Sequence, residues 1–108
     1  MTFDDYQKAA QSTAIYPTDL KAIYPALGLA GEMGEVVELI KKMVRDEARI
    51  LDDARRAKLQ KEMGDVLWYM ANLAADLGLS LSSIAEANIA KVTDRKERGV
   101  LHGDGDHR

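Results

Sequence analysis

Leu27-Gly28-Leu29-Ala30-Gly31-Glu32-Met33-Gly34-Glu35-Val36-Val37-Glu38-Leu39-Ile40 is the stretch whose reading decides the fold. Its apolar residues Leu29, Met33, Val36, Val37 and Ile40, continued by Val44, recur at threes and fours, the period of a helix rather than of a strand. Pro17 and Pro25 are the only prolines, so nothing downstream removes a backbone donor and breaks a helix. A helix is expected over about residues 25–45. Lys41, Lys42 and Arg45 suit its C-terminal end, where the helix dipole favours cations.

On the N-terminal side, a helix is expected over about residues 2–15, with Thr2 as N-cap and Asp4 and Asp5 in its first turn. Residues 16–24, bordered by proline, read as a connector. On the C-terminal side, the polar segment 46–53 leaves a hinge and a partial helix both open. A third helix is expected over about 54–77, with the stripe Leu59, Met63, Val66, Met70, Leu73 and Leu77. Gly78 stops it, Ser80 caps a fourth helix that runs to about residue 98, and Gly99 ends that one. No run of β-branched and aromatic residues is long enough for a strand. Four helices on short connections imply an all-α fold of four-helix-bundle type. Residues 1–99 are expected to form one domain, and the polar, glycine-rich residues 100–108 a flexible tail.

A chain of 108 residues buries one modest core and gains from self-association. With 46% hydrophobic and 31% charged residues it is far from the composition of a disordered chain. The net charge of −3, with no basic stripe, argues against a nucleic-acid partner. No apolar run reaches membrane length, and Met1-Thr2-Phe3-Asp4-Asp5 lacks the layout of a signal peptide, so a cytoplasmic protein is expected. The absence of cysteine excludes disulfides and thiolate metal sites.

The chemistry lies in two acidic pairs, Glu32 with Glu35 and Glu62 with Asp65, each three residues apart and so neighbours on a helix. Such pairs are common on solvated faces, and three features set these apart. On a wheel of about 100° per residue, Glu62 falls about 40° from Val66, inside the apolar arc, where an unpaired carboxylate is costly. Residues 27–38 and 62–81 contain no lysine or arginine to neutralise the acids. If the pairs face each other, like charges at about 4 Å repel by roughly 4 kcal/mol at an effective dielectric of about 20, a penalty that a divalent cation removes. With no cysteine, and with His102 and His107 confined to the tail, only oxygen ligands are on offer, which selects Mg²⁺, Mn²⁺ or Ca²⁺. Gly28, Gly31, Gly34 and Gly64 each cost a helix about 1 kcal/mol against alanine, and close helix approach beside the acids is the expected reason.

The ordered set Glu32-x-x-Glu35 and Glu62-x-x-Asp65, with Leu27-Gly28-Leu29-Ala30-Gly31, Val66-Leu67-Trp68-Tyr69 and Ala87-Asn88-Ile89-Ala90-Lys91, resembles the MazG-like all-α nucleotide pyrophosphohydrolases of the short bacterial and phage type. The resemblance runs nearly the whole chain, from Thr13-Ala14-Ile15-Tyr16-Pro17 to Gly103-Asp104-Gly105-Asp106. It implies Mg²⁺, with Mn²⁺ as a substitute, held by Glu32, Glu35, Glu62 and Asp65. It further implies cleavage of a (deoxy)nucleoside triphosphate into monophosphate and pyrophosphate, with nucleotide-pool house-cleaning as a role. Tyr69, Asn88 and Lys91 are implied near the substrate. Arg95 shares a helix face with Asn88 and Lys91, although solvated helix-end charges explain that spacing equally well. A homodimer or homotetramer is implied as well. Trp68 points away from the main stripe, which suits a subunit interface better than base stacking, and Glu38 continues the acidic row. Two other readings are a hydrolase of another pyrophosphate metabolite and a non-catalytic helical dimer that binds nucleotides or a protein. Four converging acids weigh against the second.

Overall fold

The computed structural model describes residues 1–46 and 49–108. Its elements are α1 (Phe3–Ser12), a 3₁₀ turn (Thr18–Leu20), α2 (Ile23–Asp46), α3 (Asp53–Asp76) and α4 (Leu81–Glu97), with no strand among the described residues. The all-α expectation holds, and the boundaries move by local chemistry. α1 begins with a reciprocal capping box, in which the Asp5 N–H donates to Thr2 Oγ1 at 3.0 Å and the Thr2 N–H to Asp5 Oδ2 at 2.9 Å. It stops earlier than expected, because Thr13 turns its hydroxyl back onto the Ala10 carbonyl and caps the end. α2 starts two residues before Pro25, since proline is tolerated in a first turn whose N–H groups have no helical partner.

Asp76, at the end of α3, fixes that start. Its Oδ2 accepts from the Ala22 N–H at 2.9 Å and from the Tyr16 hydroxyl at 2.7 Å, while Ala22 adopts a φ of 65°. Residues 47 and 48 of the polar segment lie outside the described residues. Beyond them Asp52 caps α3 through the Arg55 N–H, so the segment ends in a helix start. α3 and α4 both close in Schellman turns: Leu79 N–H to Ala74 O with Gly78 at φ 72°, and Val100 N–H to Arg95 O with Gly99 at φ 72°.

α2 and α3 pack as an antiparallel hairpin, with Gly28 against Tyr69 at one end and Met43 near Arg55 and Leu59 at the other. α1 lies on the C-terminal half of α3, and α4 folds back against both, leaving a small core of Ala10, Ala71 and Leu81 flanked by Tyr6, Trp68 and Met70. One buried amide ties three helices together. The Gln7 side chain donates to Ala71 O at 3.2 Å and Leu79 O at 2.9 Å, and accepts from the Leu81 N–H at 3.1 Å. Trp68 is held here too, donating its indole N–H to Thr13 Oγ1 at 2.8 Å.

The single stripe expected on α2 divides in two. Leu29, Val36, Leu39 and Met43 are partly covered, whereas Met33, Val37, Ile40 and Val44, about a quarter-turn round, remain exposed at 43–58%. Met63 and Leu67 on α3 are exposed as well. The radius of gyration, 16.8 Å, exceeds the roughly 13 Å of a compact domain of about 100 residues, in keeping with the open arrangement. No described helix is long and apolar enough to cross a membrane. In residues 100–108, Asp106 accepts from Lys91 and Arg95 of α4, and Arg108 donates to the carbonyls of Val100 and Leu101.

Gln7→Leu is expected to destabilise the fold by about 2–4 kcal/mol, since the Leu81 N–H and two carbonyls lose their partner inside the protein. A urea titration followed by helical circular dichroism measures this, and an unchanged midpoint contradicts the bracing role.

Candidate metal centre

The α2–α3 register brings Glu32 opposite Glu62 and Asp65. One carboxylate oxygen from each lies within 4.8 Å of the other two. Glu32 and Glu62 are partly buried in the seam and Asp65 is exposed at its edge, as the position of Glu62 in the apolar arc predicts. Glu35, one turn further along α2, is exposed and stands outside this group, although its charge is felt at Glu32. The structure therefore brings together three of the four carboxylates named from the sequence.

The electrostatics follow from this crowding. The Glu32 carboxyl is raised above its ordinary value, first by desolvation, then by the charge of Asp65, by a hydrogen bond and charge from Glu62, and by Glu35. Among the described residues no ion pair forms on any member of the trio. Further along the hairpin Lys41 pairs with Glu38 at 2.8 Å, Arg45 with Asp46, Arg55 with Asp52 and Arg56 with Asp53. Glu38 is thus the acid of a surface pair, and its carboxyl is lowered by Lys41.

Three oxygen donors, crowded together and unneutralised, fit a hard divalent cation. An ion bonded at about 2.1 Å keeps its ligand atoms within about 4.2 Å, so small rotations close this group onto one centre. The sequence contains no cysteine, and the group contains no histidine, which excludes a soft-metal site here.

Of the glycines expected to allow close approach, only Gly28 does so. A Cβ there would collide with the ring of Tyr69, whereas Gly31, Gly34 and Gly64 face open space. What approaches is a side chain rather than a helix backbone. Tyr69 is seated beside the acids, and its phenol is raised by burial, by Tyr24 and by the charges of Glu32 and Asp65. Tyr6, on α1, is raised by burial and by Asp65, so it too neighbours the site. Sequence reasoning missed Tyr6 and Tyr24. Neither sits in an acidic motif, and only packing brings them there.

Asn88, Lys91 and Arg95 share one face of α4, as their spacing requires, and Asn88 and Lys91 border a shallow recess of about 370 Å³. Their ionic partner is the tail and not the trio. Asp106 Oδ1 accepts from Lys91 Nζ at 2.9 Å and from the buried Arg95 at 3.1 Å. A groove of about 690 Å³ between Phe3 and α4 shares no residue with the acids.

The pH dependence of stability has a defined sign. Because Glu32 is raised in the fold, the unfolded chain binds fewer protons between the ordinary value of 4.5 and the raised one, and stability falls as pH rises through that window. The lowered carboxylates Asp4, Asp5, Glu38, Asp46 and Asp106 exert the opposite slope below it. Thermal unfolding without divalent ions is expected to show this fall above pH 4.5, and Glu32→Gln to flatten it. An identical slope in that variant contradicts the crowding.

The family model of the MazG nucleotide pyrophosphohydrolase domain matches residues 24–100, which include α3, α4 and the whole acidic trio. A relative described as Gene 37 protein, from Mycobacterium phage L5, is 44% identical over 114 residues, an alignment covering 100% of both chains. No solved structure matches the chain.

Proposed function

The chain belongs to the MazG nucleotide pyrophosphohydrolase domain family, and from that membership we propose that it hydrolyses a nucleoside triphosphate to the monophosphate and pyrophosphate, using Mg²⁺. The observation that carries this reading is the trio Glu32, Glu62 and Asp65, three carboxylates within 4.8 Å and without a basic partner among the described residues. These three hold the cation, with Mn²⁺ able to replace Mg²⁺. When bound, such a cation offsets phosphate charge and makes water more acidic.

The chain's own residues do the rest. Water adds to the α-phosphorus, the bond to the bridging oxygen of pyrophosphate breaks, and the water proton passes to a carboxylate. Glu35 suits that last task, because it is exposed, sits one turn from Glu32 and is not needed in the trio. Tyr69 walls the site and limits water on one side. Asn88, Lys91 and Arg95 receive the phosphates, Asp106 giving up its contacts with Lys91 and Arg95 as the more highly charged anion arrives. Removal of unwanted nucleotides in the cytoplasm is the role this reaction suits.

We propose further that the working unit is a homodimer, or a homotetramer built from it. The support is the exposed apolar face of Met33, Val37, Ile40 and Val44, beside Met63 and Leu67. Val37→Asp is expected to yield monomers in sedimentation equilibrium, while a wild-type chain that is itself monomeric contradicts the assembly.

The test of activity is product analysis with a panel of nucleoside triphosphates and Mg²⁺. Monophosphate plus pyrophosphate is expected, reduced more than about 100-fold in Asp65→Asn with unchanged helicity, since even groups that only support metal ligands cost about 10–100-fold. Absence of turnover across the panel contradicts the reading and moves the function to another pyrophosphate compound or to binding alone.

A further inference from the structure

Residues 100–108 form a closed loop with an arginine at its hub. Gly99 and Gly105, at φ 72° and 80°, turn the chain out of α4 and back, in a conformation that a Cβ resists. Arg108 closes the loop by donating to the carbonyls of Val100 at 3.1 Å, Leu101 at 3.1 Å and Gly105 at 2.5 Å. Gly103 leaves room for it, since a Cβ there would stand 2.7 Å from Arg108 Cδ. Arg98, just past α4, donates to the Arg108 carbonyl at 2.7 Å and ties the end of the loop to the helix.

The loop delivers one carboxylate to two cations. Asp106 Oδ1 accepts from Lys91 Nζ at 2.9 Å and from Arg95 Nη2 at 3.1 Å. The Asp106 backbone carbonyl accepts from the same Arg95 nitrogen at 2.5 Å. Lys91, and after it Arg95, hold the Asp106 carboxyl below its ordinary value. Arg95 is buried at 7% exposure, whereas the Asp106 side chain is 71% exposed. The cation is thus fixed in the body of the fold, and its partner is carried on a loop at the edge. Pairs made by an exposed carboxylate hold weakly, and a polyphosphate brings several charges where Asp106 brings one.

We propose that residues 100–108 are an autoinhibitory latch, in which Asp106 occupies Lys91 and Arg95 in place of a substrate phosphate, so that tail and substrate compete for the same cations. The inference rests on the reading of Lys91 and Arg95 as receivers of phosphate. The closed latch lowers affinity for the anion in proportion to the fraction of molecules in which it is open.

Two substitutions of opposite charge open the latch. Asp106→Asn removes the negative charge seated on α4, and Arg108→Ala removes the positive charge that closes the loop. A change in overall charge alone moves anion binding in opposite directions in the two variants, whereas release of the latch moves it the same way. Both side chains bond only within the tail and to α4, so helical content is expected to match the wild type.

Calorimetric titration with inorganic tripolyphosphate and Mg²⁺ is expected to saturate in the wild type, and each variant to bind about three- to tenfold more tightly. Hydrogen exchange of the amides in residues 101–107 is expected to quicken in the wild type on adding tripolyphosphate, and to be fast from the start in both variants. Absence of binding to the wild type, a variant that binds no more tightly, or tail exchange that tripolyphosphate leaves unaltered overturns the latch. Turnover of triphosphates alongside any of these results leaves the hydrolase reading standing. Tighter binding in both variants and a released tail, without turnover of any triphosphate, supports the latch and overturns the hydrolase reading instead.

Discussion

Two glutamates face each other across a helix seam, and much of the molecule is arranged around that repulsion. Glu32 and Glu62 occupy positions on α2 and α3 that packing alone would give to leucine or valine, and Asp65 adds a third charge at the edge. Like charges in a partly buried seam work against the pairing of the helices that carry them. Val36, Leu39, Met43, Leu59 and Val66 are partly covered along the two helices, with Leu39, Met43 and Leu59 together at the far end of the hairpin. Lys41, Arg45 and Arg55 form their pairs with Glu38, Asp46 and Asp52 towards the far end of the hairpin, and none reaches the trio. A divalent ion is the partner that turns this repulsion into a cross-link between two helices.

The remaining helices keep the acidic hairpin in register. α1 supplies Gln7, whose amide bridges α3 and the start of α4, and Tyr6, which reaches the neighbourhood of Asp65. The connector returns Tyr16 over the end of α3, where Asp76 fixes both the Tyr16 hydroxyl and, through the Ala22 N–H, the start of α2. α4 contributes Lys91 and Arg95, satisfied here by Asp106 of the tail. The apolar row from Met33 to Val44 is left without cover, a surface that suits a second copy of the chain.

The helices were legible because their ends carry explicit signals: the Thr2–Asp5 box, Asp52 and Ser80 as caps, and Gly78 and Gly99 at positive φ. The acidic trio was legible from the placement of Glu62 within an apolar arc. Periodicity could not tell that the α2 stripe serves two surfaces, because Val36 and Val37 are adjacent in sequence and a quarter-turn apart in space. Nor could it tell that Glu35 stands outside the trio, since i, i+3 spacing fixes a shared face and not a convergence point. Trp68 packs against the small core and puts its N–H on Thr13, a partner 55 residues away in the chain that no local pattern announces. Gln7 and Tyr24 gave no local signal, for their roles are set by contacts between helices.

The central claim is that Glu32, Glu62 and Asp65 form a divalent-cation site. Electron paramagnetic resonance of Mn²⁺ titrated with the protein tests it most directly, since the signal of the free ion fades on binding. The account predicts saturable loss of that signal with the wild-type protein, and its persistence with a Glu62→Gln variant of equal helicity. A signal that wild-type protein leaves untouched, or that the variant removes equally well, contradicts it.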